Sequence, residues 1–203
     1  MGKAIKEKEV NEEVQDVQKD FEIKSASIKD HQCTYGYEIL TGPTRGDLIP
    51  GRKGVHLIHD DLNECFSELS IFLMHIDDYF KNDENVNNQT PLSKLEEHED
   101  LNRYWVTGFK VTGFDENKSI ILTGEKSVTN GLIKIVSPKI KLDGTYLYVE
   151  ELNERLRIAL NEVEAYMNGK SAPKLEQTEL DLQAFAQEDN LPIIGEDMES
   201  AEV

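Results

Sequence analysis

His56 and His59 stand three positions apart with Asp60 and Asp61 beside them, which are the residue types that ligate zinc or a harder cation. The same stretch straddles an expected strand-to-helix junction. There Asp61, followed three positions on by Glu64, is better used as a helix cap, so a metal is not expected. His31, His75 and His98 have no partner at a useful spacing, and no Ser-His-Asp or Cys-His arrangement can be asserted from the order of residues. Cys33 and Cys65 are 32 positions apart with no Cys-x-x-Cys spacing, and they read as small buried hydrophobes. We therefore expect no catalytic residue, no resident metal and no cofactor.

Two other groups of residues could bind rather than react. Arg45, Arg52 and Lys53 lie in a glycine-rich stretch, 41–54, whose amides could cradle an anion, although Gly-x-x-x-x-Gly-Lys-Ser/Thr is not present. Tyr104, Lys110, Lys118, Lys134, Lys139 and Lys141 fall on a run of expected strands, where basic and aromatic side chains on one sheet face could hold single-stranded nucleic acid. Solvated strand faces and an ordinary loop account for the same residues. The other candidate is Gln177-Thr178-Glu179-Leu180-Asp181-Leu182, past the last convincing helix, where two leucines have no core to join. In an extended peptide Leu180 and Leu182 point the same way while Asp181 points away, so both can enter one cleft. A short helix over 175–185, packing Leu175, Leu182 and Phe185 on the domain, is the competing reading. Near the end, residues 188–197 place acidic residues around a small apolar knot, superficially like the acidic tails of single-stranded-DNA-binding proteins.

Net charge is −18 over 203 residues, with −8 in 171–203 and −5 in 82–100, which leaves −5 for the rest. A DNA mimic would spread carboxylates over a folded surface; here the excess is concentrated in two segments read as a mobile acidic linker and a flexible tail. No apolar run approaches the roughly 20 residues that span a bilayer, and the first residues become charged where a leader would turn apolar, so a cytoplasmic chain with no membrane partner is expected.

Hydrophobic periodicity supplies the elements that must hold these residues. After a polar segment, 1–19, with Val10, Val14 and Val17 at marginal helical spacing, strands are expected over 21–28 and 32–40. In the second of these Cys33, Tyr35, Tyr37 and Ile39 share a face. Apolar residues from Leu62 to Phe80 at spacings of three and four predict one long helix over 61–81. Three strands, 103–114, 118–128 and 132–142, then form a meander with Pro138 as an interruption. In the first, Trp105, Thr107, Phe109 and Val111 are expected to face the helices. A last helix, 149–168, closes at Gly169. The order ββαβββα predicts one α+β domain over 20–169, an antiparallel sheet of about five strands with two helices on one face, and an acidic tail over 170–203.

The peptide 177–182 resembles the short motif by which bacterial replication and repair proteins dock on the DNA sliding clamp: a glutamine followed at fixed spacing by two apolar anchors. Thr178 stands where that pattern often has Leu, and the Phe of the five-residue version is absent. Val111-Thr112-Gly113-Phe114, residues 121–126, Ile135-Val136-Ser137-Pro138 and residues 165–172 are similar to segments of small uncharacterised proteins of tailed bacteriophages and prophages. That resemblance covers residues 20–182. It implies a setting near replication and recombination genes in a bacterial host and a clamp-like peptide after Gly169-Lys170. The clamp is the expected partner. An inhibitor of a host enzyme or defence protein, acting through the folded surface, is a further alternative.

Overall fold

A computed structural model describes residues 19–173, apart from 84–85, 88, 115–116 and the side chain of Asn82. The expected N-terminal helix and the 177–182 peptide lie outside the described residues. Within them the fold is α+β, built on an antiparallel sheet. Its strands are β1 (Phe21–Lys29), β2 (Gln32–Ile39), β3 (Leu48–Leu57), β4 (Tyr104–Thr112), β5 (Ser119–Val128), β6 (Gly131–Val136) and the short β7 (Ile140–Lys141). They lie in the order β3-β2-β1-β4-β5-β6, with β7 paired to β5 beyond the end of β6. Ser137-Pro138 separates β6 from β7, because proline cannot donate to the ladder.

β3 lies in the stretch expected to be a loop. Pro50, two register shifts and Gly51 at φ 60° break its alternation, so the strand exists through its pairing with β2 rather than through a local pattern. The hairpin is closed by Ile39 N–H donating to the Asp47 carbonyl at 3.0 Å and Gly46 N–H to the Ile39 carbonyl at 2.8 Å.

The long helix expected over 61–81 is two. α1 (Asp60–Glu68) and α2 (Ser70–Ile76) meet at Leu69, and a 3₁₀ turn over Tyr79–Asn82 follows Asp78, which sits at φ 56°. Ser70, Ile71, Phe72, Leu73 and Met74 are all buried, so α2 is enclosed on every side rather than along one stripe. The Ser70 hydroxyl accepts the Val106 amide at 3.1 Å and so fixes the break against β4. At the start of α1 it is His59, not Asp61, that caps: its Nδ1 accepts the Asp61 amide at 3.3 Å.

The acidic segment 82–100, read as an apolar-poor linker, contains α3 (Leu92–Glu96), which opens directly after Pro91. Leu92 and Leu95 are buried, and the Tyr148 hydroxyl donates to the Thr90 carbonyl at 2.8 Å. Two leucines three apart give too short a pattern to stand out in sequence. α4 (Val149–Met167) follows its expected span and buries Leu152, Leu156, Ala159, Val163 and Tyr166. Gly169 at φ 104°, with its N–H on the Tyr166 carbonyl and the Lys170 N–H on the Ala165 carbonyl, ends it as a left-handed cap. α1, α2 and α4 pack on the face of the sheet that presents Ile23, Ala26, Cys33, Tyr35, Phe109 and Leu122. By contact density the chain divides after Ala172.

Candidate functional site

Helices cover one face of the sheet; the described residues leave much of the other open, and β-bulges decide what it presents. In β1 the register shifts between Ile23 and Ser25, so Ala26 joins the core while Ser25 and Ser27 point outward. In β4 the shift falls between Val106 and Gly108. Beyond it Phe109 and Val111 meet the helices as expected, but Trp105 and Thr107 are displaced to the open face, and Tyr104 and Val106 take the core positions. One row of this face runs, by direct pairing, Lys53, Thr34, Ser27, Gly108, Thr123, Val136 from β3 to β6. The neighbouring row holds the facing pair Glu125 and Lys134, with Trp105 opposite Glu125.

Because the centre of the face is built from serine, threonine and glycine, it is low, and a depression of about 690 Å³ opens over it. Its lining includes Ser25, Ser27, Thr34, Thr107, Thr123 and the lysines Lys29, Lys110 and Lys134. β1 and β4 pair only over Ser25–Ser27 and Gly108–Lys110. Past Gly108 they separate, and a second depression of about 430 Å³ contains Trp105 with Asp30, His31, Asn63 and Ser67. The two share Ile28, Lys29 and Thr107, so they adjoin as one trough that runs from the open face into the gap between β1 and β4, where the core residues Phe66 and Val106 also line it. The Asp30-His31 turn at its end has φ 51° and 58°, the left-handed pair that a two-residue hairpin requires. Among the described residues Lys29, Lys53, Lys110 and Lys134 take no ion pair, and Glu125 and Asp30 are the carboxylates lining the trough.

Elsewhere several charges are matched within the fold. Lys24, only 8% exposed, lies 2.6 Å from Glu22 and 3.2 Å from Glu38, and Lys118 is 2.9 Å from Glu22. Burial alone would raise the Glu22 carboxyl, but hydrogen bonds and attraction from these two ammonium groups hold it below its ordinary value. Asp77 accepts the Tyr104 hydroxyl and the Lys126 ammonium, each at 2.8 Å. Burial, aided by Asp77, pushes the Tyr104 hydroxyl up to about 12, so at neutral pH it is a donor. Burial likewise pushes the Cys33 and Cys65 thiols up to about 11, which makes them poor nucleophiles.

The residues singled out from sequence are not brought together. Gln177, Leu180, Asp181 and Leu182 are outside the described residues. Arg45 sits in the 41–47 turn, and Arg52 and Lys53 are on β3 at one edge of the sheet. Lys134 is on β6 at the other edge, five strand spacings or roughly 24 Å away. Lys139 follows β6, and Lys141 on β7 lies 4.0 Å from Asp143. Tyr104 points into the core and Lys118 is paired, so neither belongs to an open basic face. His56 is exposed on β3, whereas His59 is spent on its cap, and no cluster of three or more potential metal ligands occurs among the described residues. Lys110 and Lys134 both line the first depression. Trp105 and Lys29 were missed; an indole next to Thr107-Gly108 was a signal for a bulge, since glycine in a strand often marks one.

No protein-family model, no curated protein and no solved structure matches the chain. No helix of the described residues is long and apolar enough to cross a membrane.

Proposed function

We propose that this chain is a non-enzymatic phage or prophage accessory protein that docks on the bacterial sliding clamp through residues 177–182. The observation that carries the reading is the way the chain leaves the domain. α4 stops at a left-handed glycine, and Lys170 is held to Asp61 at 2.5 Å and to Glu162 at 2.6 Å. The Ala172 N–H then donates to the Leu57 carbonyl at 3.0 Å, and Pro173 follows. The exit is thus pinned at the end of β3, and Gln177 comes five positions after this last backbone bond of the described residues. The 29 buried apolar residues of the described core all lie between Ile23 and Tyr166.

In the bound peptide Gln177 would meet polar backbone at the pocket rim while Leu180 and Leu182 fill apolar subsites. Two leucines supply roughly 3–6 kcal/mol before ordering costs, so affinity of about micromolar order is expected for the isolated peptide. The test is Gln177→Ala, Leu180→Ala and Leu182→Ala together, with binding to purified clamp measured calorimetrically. Loss of binding at an unchanged melting temperature supports the reading. Unchanged clamp affinity in the triple variant, or no affinity in the parent chain, overturns it.

A further inference from the structure

We propose that the trough on the uncovered sheet face binds single-stranded nucleic acid, with Trp105 as the ring on which a base stacks and Lys29, Lys110 and Lys134 as contacts to backbone phosphates. This gives the folded domain a ligand of its own, beyond the tail peptide, and it stands or falls separately from clamp docking.

The four cation pairs Lys24–Glu22, Lys24–Glu38, Lys118–Glu22 and Lys126–Asp77 show that lysines on or beside this sheet are readily neutralised by neighbouring carboxylates. Lys29, Lys110 and Lys134 are exposed, border one depression, and have no such partner among the described residues. Three ammonium groups against the carboxylates of Glu125 and Asp30 leave a small positive excess around the hollow, which attracts an anion with several charges along its length.

The floor supports the same ligand. Ser27, Gly108 and Thr123 sit side by side on three adjacent strands, and a Cβ on Gly108 would come within 3.0 Å of the Ala26 carbonyl oxygen. Small side chains keep the hollow deep enough for a sugar-phosphate chain, and their hydroxyls can hydrogen-bond to it.

Trp105 then separates single strands from duplexes. Its indole is half-buried and lines the gap where β1 and β4 part, and a base that stacks on it must first leave its own stack. A duplex presents no free base face; a single strand does, and stacking on an aromatic ring tolerates any base. Glu125 and Asp30 beside the lysines make the cation excess modest, so the interaction should be salt-sensitive and strongest at low ionic strength.

The chain carries a single tryptophan, so its intrinsic emission reports on this site. The full-length protein is titrated with a single-stranded oligothymidylate of about 20 nucleotides at about 50 mM salt, following Trp105 emission and, separately, the anisotropy of a labelled oligonucleotide. Expected are quenching on binding and an affinity that falls roughly ten- to twentyfold between about 50 and 200 mM salt, as for some three phosphate contacts on a single strand. Lys110→Glu combined with Lys134→Glu, both exposed, should weaken binding at least tenfold with an unchanged circular dichroism spectrum. Trp105→Phe should retain binding by anisotropy, whereas Trp105→Leu should lose about tenfold. Absence of both signals at low salt overturns the proposal, as does undiminished binding by the double lysine variant. Equal affinity for duplex DNA or for heparin also overturns it, leaving a general polyanion surface.

Discussion

At Gly54 the edge strand β3 and the last helix come into contact with no room to spare. A Cβ there would lie 2.1 Å from the Tyr166 hydroxyl oxygen and 2.4 Å from Cε1 of its ring. The same hydroxyl donates to the His56 carbonyl at 2.5 Å, and the ring packs edge-on against Tyr35 at 6.3 Å. The glycine therefore lets a helix residue bond the backbone of a strand that has few other ties to the helical layer. We expect Gly54→Ala to destabilise the protein by about 1–3 kcal/mol, the usual cost of overpacking, measured by urea unfolding. An unaffected unfolding midpoint would show that Tyr166 does not rest on β3. Other single residues settle chemistry rather than packing: the raised thiols of Cys33 and Cys65 and the capping role of His59 leave these groups with structural work.

Among the elements, the two bulges and the break at Leu69 have the largest consequences. A shift of one residue in a strand exchanges its faces, so the irregularity between Val106 and Gly108 moves Trp105 from the expected core face to the trough. The break at Leu69 lets α2 turn into the core, where Ser70 reaches the Val106 amide of that same strand. α3 shows the opposite error of scale, since a segment dominated by Asn and Glu contributes two core leucines. Leu95 is 1% exposed, so Leu95→Ala should cost about 2–5 kcal/mol in thermal or denaturant unfolding. A change below about 0.5 kcal/mol, as at a solvated site, would mean that 92–96 is a linker after all.

For the whole molecule, the two outer strands are protected differently. β3 carries Pro50, Arg52, Lys53 and a bulged register, whereas β6 pairs regularly and exposes Leu132, Ile133 and Val136 around a single charge, Lys134. The described core, which runs from Ile23 to Tyr166, leads to a further expectation. A chain ending at Pro173 should melt within about 2 °C of the full-length protein, because no described core residue is lost. A drop of several degrees would favour the helix over 175–185 packing on the domain, and would weaken the clamp reading. By itself the sequence determined the α+β class, the span of α4 and its glycine cap, the β1–β2 hairpin and the strands after residue 103, since these follow from local periodicity and turn chemistry. Tertiary structure decided the rest: β3 within the glycine-rich stretch, the division of the long helix, the burial of α3, and which side of β4 Trp105 occupies. Each depends on a partner outside the segment itself, the β2 edge, Val106, Tyr148 and the β5 register respectively, and periodicity within one segment does not record where such a partner will be.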